Sequence, residues 1–198
     1  MFMLWEYLLI ATGFMGALTL VFLMRKFYQW IHTPFSATVF HSPKGGCTEA
    51  VVAELNRARR EILVQAYSFT SKPIAEALVA AKARGVNIEI ILDKSNEQES
   101  YTELGHLLEQ GLHPHIDAQH AIAHNKIMVV DRRVVITGSF NFTNQAEHEN
   151  AENLLILRGN SALINSYYQS FQTHKAHSQA PGTRSATAAK PAPQRKAA

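Results

Sequence analysis

The chain has 198 residues, enough for one domain of ordinary size plus appendages. Its formal charge of +3 is unevenly placed: residues 36–178 hold 13 basic and 15 acidic residues, so the basic balance comes from the ends and does not by itself make the middle a polyanion binder. The single cysteine, Cys47, excludes an intrachain disulfide and a cysteine zinc cluster.

The first predicted element is an apolar helix. Leu8 to Met24 carries no charge over 17 residues, with Trp5 and Tyr7 before it and Tyr28 and Trp30 after it. Aromatics at both edges of a run this long fit a membrane anchor occupying residues 1–30 and spanning about 8–24. A cleaved leader is the weaker reading, because no basic residues precede the run and no small-x-small site follows. Arg25 and Lys26 on the C-terminal side place the following domain in the cytoplasm by the positive-inside tendency. Gly13 and Ala17 form a small-xxx-small pair of the kind that lets two such helices approach.

Residues 36–178 then alternate in type. A strand is expected at 36–40, and a helix at 48–60 with Thr48 as its N-cap and Val51, Val52, Leu55 and Ala58 on one face. A strand at 61–67 is followed by a helix that Pro73 opens and Gly85 closes. Strand 86–92 and a helix near 101–110, ended by Gly111, come next. The segments 126–130 and 134–137, joined by Asp131-Arg132-Arg133, read as a hairpin. A strand at 153–157 and an amphipathic helix at 161–174 complete the domain. Strands alternating with helices argue for a layered α/β domain with an antiparallel pair added late. Residues 179–198, rich in Ala, Pro and small polar residues and carrying four basic ones, read as a disordered tail.

The hairpin carries the chemistry. His124 and Lys126 stand two apart, as do Ser139 and Asn141, and residues i and i+2 of a strand share a face. Gly138 permits close backbone approach just before the second pair. An imidazole, an ammonium, a hydroxyl and a carboxamide together suit an anionic phosphodiester: one nucleophile among donors that stabilise charge on the phosphate oxygens. Tyr67, Phe69, Phe140 and Phe142 are expected to be packing residues. His113, His115, His120 and His124 are irregularly spaced around Pro114, which argues against their forming a metal site.

His-x-Lys, four residues, Asp, six residues, Gly-Ser-x-Asn resembles the signature of the phospholipase D superfamily, here as His124, Lys126, Asp131, Gly138, Ser139 and Asn141. The likeness extends over most of residues 38–175 and is to the small single-motif bacterial endonucleases of that superfamily. It implies a layered α-β-α domain with a mixed sheet and a metal-independent phosphodiesterase needing no cofactor. The catalytic set it implies is His124, Lys126, Asp131, Ser139, Asn141 and Glu152. His124 would be the nucleophile forming a phosphohistidine. Lys126 and Asn141 would bind phosphate, with Ser139 in support, and Glu152 would orient His124. Asp131 sits at the turn and is expected to hold the hairpin. The family mechanism uses two histidines and this chain has one motif, so the resemblance implies a homodimer with a composite active site. Nucleic acid is the expected substrate, with membrane phospholipid (cardiolipin included) as the alternative and a non-catalytic tethered binding module as the third reading. Export of soluble relatives makes a periplasmic domain the alternative to a cytoplasmic one.

Overall fold

The computed structural model describes residues 2–31 and 34–182, so most of the basic tail lies outside the described residues. The chain divides into two compact units, residues 1–35 and 36–198. The first is a single helix, α1 (Phe2–Ile31), in which the stretch Trp5–Tyr28 has a mean hydropathy of 2.1 and is long and apolar enough to cross a membrane. Between Trp5 and Tyr28 its large side chains, among them Leu9, Phe14 and Leu20, are exposed.

The second unit is built on one seven-stranded mixed sheet in the order β1-β7-β6-β5-β2-β3-β4. Three strands are parallel: β2 (Glu61–Ala66), β3 (Asn87–Asp93) and the short edge strand β4 (His115–Asp117). The others pair antiparallel: β5 (Lys126–Val130) with β2, β6 (Val134–Gly138) with β5, β7 (Asn153–Arg158) with β6, and β1 (Ser36–His41) with β7. The sheet therefore changes from parallel to antiparallel at the β2–β5 seam. Five of the six β2 residues are buried, as befits a central strand covered on both faces.

Alternation of side chains divides the core in two. Ile62, Val64, Met128, Ile136 and Ile156 meet α2 (Cys47–Arg57) and α3 (Lys72–Ala83), which supply Val51, Leu55, Ile74 and Leu78. Leu63, Ile91, Val129, Val135 and Leu157 face the other way, onto Ile164 and Phe171 of α7 (Ser161–His177). The short helices α4 (Ser95–Gln98), α5 (Leu104–Glu109) and α6 (Asn144–His148) fill the connections. This is the layered α-β-α arrangement expected from the pattern.

Thr48 does not cap α2. Gly46 occupies the N-cap in a left-handed conformation, and the Glu147 carboxylate accepts from Gly46 N (3.2 Å) and Thr48 N (2.6 Å). A carboxylate from α6, about 100 residues away in sequence, replaces the local cap and also suits the positive end of the helix dipole.

The hairpin turn is held from outside. Asp131 and Arg132 have φ of 53° and 51°, and Arg133 N donates to Val130 O at 2.9 Å. The Asp131 carboxylate accepts from the backbone N–H groups of Arg59 (2.9 Å), Arg60 (2.7 Å) and Glu61 (3.0 Å), fastening the turn to the start of β2. These bonds offset the cost of left-handed backbone at two residues with side chains. Asp131→Ala is expected to lower stability by about 2 kcal/mol in a denaturant titration, while activity per folded molecule stays within about twofold.

Candidate active site

His124 and Lys126 sit where the β4–β5 loop enters the sheet. His124 lies two residues before β5 begins and is exposed, while Lys126 is the first residue of β5, is only 7% exposed, and pairs with Ala66 at the end of β2. Tyr67 N donates to Asn125 O at 2.9 Å, which continues the ladder one step past the strand and aligns the two residues. Lys126 Nζ donates to the carbonyl of His124 at 2.9 Å. It also stands 5.0 Å from the Tyr67 ring centre, and that ring is 4.5 Å from the His124 imidazole.

Tyr67 is thus a site residue that sequence reasoning assigned to packing. Its neighbours in that assignment, Phe69, Phe140 and Phe142, are fully buried and do pack. The signal that separates Tyr67 is its position one residue beyond β2, opposite the histidine strand, which becomes visible only with the β2–β5 register.

Burial holds the Lys126 ammonium below the ordinary lysine value, and the nearby Glu152 carboxylate partly opposes this. No carboxylate forms an ion pair with Lys126 among the described residues, so its charge is available to an anion. A rate that depends on charged Lys126 therefore falls on an alkaline limb below the ordinary lysine value. Glu152→Gln removes the opposing influence and is expected to move that limb further down in a kcat/KM profile.

The far end of the hairpin delivers the second pair. Gly138 has φ 145°, and a Cβ there would overlap the carbonyl oxygen of Asn153. That carbonyl accepts from the N–H groups of Ser139 (3.1 Å) and Phe140 (3.2 Å). Ser139 Oγ accepts in turn from Asn153 N (3.1 Å) and Asn153 Nδ2 (3.4 Å). Asn153, at the start of β7, is a second residue that spacing alone did not single out. Asn141 follows in a loop anchored by Thr70 N and Ser71 N, each donating to Phe142 O at 3.0 Å. Its Oδ1 is buried without a hydrogen-bond partner, and its side chain lines a cleft shared with Tyr67, Ser68, Tyr101, Gln145 and Asn150.

Glu152 stands just before β7. Its Oε1 accepts from Asn150 Nδ2 at 3.1 Å, and its backbone exchanges hydrogen bonds with Ser42. Among the described residues of one chain no hydrogen bond joins it to His124, and its charge opposes the lowering of Lys126. Asp131 is on the turn at the opposite end of β5 from His124, bonded to backbone as described above. Cys47 is fully buried, and burial together with Glu147, Glu49 and Glu152 pushes its thiol up to about 11, which removes it as a competing nucleophile.

Comparison with known proteins agrees with this geometry. Residues 51–175 match the family model described as "Cardiolipin synthase, PLD-like domain". A phospholipase D of Rickettsia bellii is 38% identical over 135 residues, 68% of this chain and 67% of that protein. The mitochondrial cardiolipin hydrolase of Xenopus tropicalis is 33% identical over 118 residues, 60% of this chain and 56% of its own length. Among solved structures, the phospholipase D family member Nuc from Salmonella typhimurium superposes with a TM-score of 0.71 at 32% identity, covering 77% of this chain and 100% of Nuc. With the matched domain spanning well over half of its length, the chain belongs to the phospholipase D superfamily of phosphodiesterases.

Proposed function

We propose that the chain is a membrane-anchored phosphodiesterase that cuts nucleic acid through a phosphohistidine, with one active site assembled from two copies. The observation that carries this reading is the pairing of exposed His124 with the buried, carboxylate-free ammonium of Lys126, present once per chain. One imidazole can attack phosphorus or protonate the leaving oxygen, but it cannot do both in the same step.

In the proposed sequence, a neutral His124 nitrogen bonds to phosphorus as the bond to the leaving oxygen breaks. His124 of a second copy gives that oxygen its proton. The same second imidazole then takes a proton from water, whose oxygen attacks phosphorus and breaks the phosphorus–nitrogen bond. Lys126 and Asn141 hold the non-bridging oxygens, and Ser139 supports them through its link to Asn153. Glu152 tunes Lys126 by its charge, and Asp131 fixes the hairpin that carries the motif. No step requires a metal ion.

Nucleic acid is favoured because the motif and its flanks over most of residues 38–175 resemble the small single-motif bacterial endonucleases of the superfamily, whereas the match to the cardiolipin hydrolase takes in 56% of that protein. Phospholipid is the second reading, supported by the membrane-length helix and by the names of the Rickettsia and Xenopus relatives. The domain is assigned to the cytoplasmic side from Arg25 and Lys26. The full chain in detergent, assayed with EDTA on DNA, RNA and cardiolipin-containing vesicles, tests the proposal. Cleavage of nucleic acid alone supports the nuclease reading, cleavage of lipid alone replaces it, and inactivity on all three, with EDTA and equally without it, overturns both.

A further inference from the structure

On residues other than those of the phosphate site, one buried carboxylate gathers three imidazoles. Asp117, the last residue of β4, has a fully buried side chain. Its Oδ2 lies 2.9 Å from Nδ1 of His120, 2.8 Å from Nδ1 of His174 and 3.3 Å from Nε2 of His177. His174 and His177 stand one turn apart on α7, which brings both rings to the same side of the helix. All four ligand atoms lie within 4.8 Å of one another. The three rings are stacked loosely, with centroids 4.9, 5.1 and 5.4 Å apart.

Hydrogen bonding alone accounts poorly for this cluster. Ring nitrogens of His174 and His177 crowd Oδ2, and His120 Nδ1 is shared between Oδ2 (2.9 Å) and Oδ1 (3.1 Å). A buried carboxylate also needs a positive partner, and no lysine or arginine pairs with Asp117 among the described residues. A divalent cation resolves both problems, because neutral imidazole nitrogen and carboxylate oxygen are its ordinary ligands.

The distances fit as well. With metal–nitrogen and metal–oxygen bonds of about 2.0–2.2 Å, the corners of a tetrahedron stand roughly 3.3–3.5 Å apart. The three separations from Asp117 Oδ2, 2.8 to 3.3 Å, would open by up to about half an ångström, and the wider spacings in the group, which reach up to 4.8 Å, would close as the rings turn inward on the ion. The rest of the carboxylate is tied down for the purpose: Oδ1 accepts from the backbone N–H groups of Gln119 (3.2 Å) and His120 (3.4 Å).

We propose that Asp117, His120, His174 and His177 form a tetrahedral site for one divalent transition-metal ion, zinc foremost. Four protein ligands leave no open position, so the ion is structural. It ties the end of α7 to β4 and to the loop whose other end carries His124, where a backbone pair between Ile116 and Gln179 (2.7 and 3.0 Å) already fastens the chain. The expectation that argued against a histidine metal site grouped His120 with His113, His115 and His124. The fold instead joins His120 to residues more than fifty positions downstream.

The test uses the full chain in detergent, carrying no polyhistidine tag, loaded with Zn2+ and dialysed. Elemental analysis is expected to find about one zinc per chain, and the His174→Ala, His177→Ala double variant to hold less than a tenth of that. Co2+ loading should give the visible absorption of a tetrahedral cobalt site in the unmodified chain and not in the variant. Melting temperature should rise on adding zinc to the metal-free unmodified chain. Should the double variant fail to fold, His120→Ala replaces it, since that ligand is half-exposed in a loop and its loss should weaken binding at least tenfold. Zinc absent from the unmodified chain, or retained equally by the variants, overturns the proposal. None of these readouts depends on phosphodiesterase activity.

Discussion

His124→Asn is expected to abolish phosphodiester cleavage, a loss on the order of 10⁴-fold or more, because asparagine keeps polarity but cannot bond to phosphorus as a leaving nucleophile. The fold should be untouched, since the exposed His124 side chain packs only against Tyr67. A stronger form of the experiment co-expresses mutant and unmodified chains in equal amounts. If each active site needs a histidine from both copies, only dimers with two intact chains work, and activity falls to about a quarter of the all-intact value. If each chain works alone, it falls to about a half. Activity near a half would remove the composite site while leaving the nucleophile in place; activity surviving in pure His124→Asn would remove the nucleophile.

Gly138→Ala is expected to damage the domain severely. The backbone there has φ 145°, and the new Cβ would overlap the Asn153 carbonyl, which is backbone and cannot swing aside. Strain and the lost Ser139 and Phe140 hydrogen bonds to that carbonyl should together cost about 3 kcal/mol. For a domain of this size the melting temperature should drop by roughly 10 °C. Because Ser139 and Asn141 follow directly, the surviving folded protein should also cleave more slowly. A melt unchanged within a degree would show that the close approach carries no weight.

The parts of this fold legible in sequence were those encoded locally. β5 and β6 are short apolar runs on either side of Asp131-Arg132-Arg133, and α3 has proline at its start and glycine after its end, so each was placed within a residue or two. β4 was missed because three residues next to Pro114 show no periodicity, and their strand character comes from β3 beside them. The Thr48 cap failed for the same reason, since Glu147 reaches α2 from a distant segment. The site followed this division. His124, Lys126, Gly138, Ser139 and Asn141 could be singled out because they lie in or beside one hairpin, while Tyr67, one residue beyond β2, and Asn153, the first residue of β7, come near the hairpin only after folding. The assignment of Glu152 to His124 came from family likeness; within one chain its carboxylate accepts a hydrogen bond from Asn150.

The seam between β2 and β5 has a kinetic consequence. Ile62 pairs with Val130 and Ala66 with Lys126, contacts separated by 60 residues or more, whereas the β2–β3 and β5–β6 pairs each close much shorter stretches of chain. Loop closure over that distance is slow compared with local pairing. The two halves of the sheet can therefore gain structure before they join, and Tyr67 meets His124 only once they have. During refolding, return of secondary structure should run ahead of return of catalysis, which waits for this seam and, on the proposed composite site, for the second copy as well.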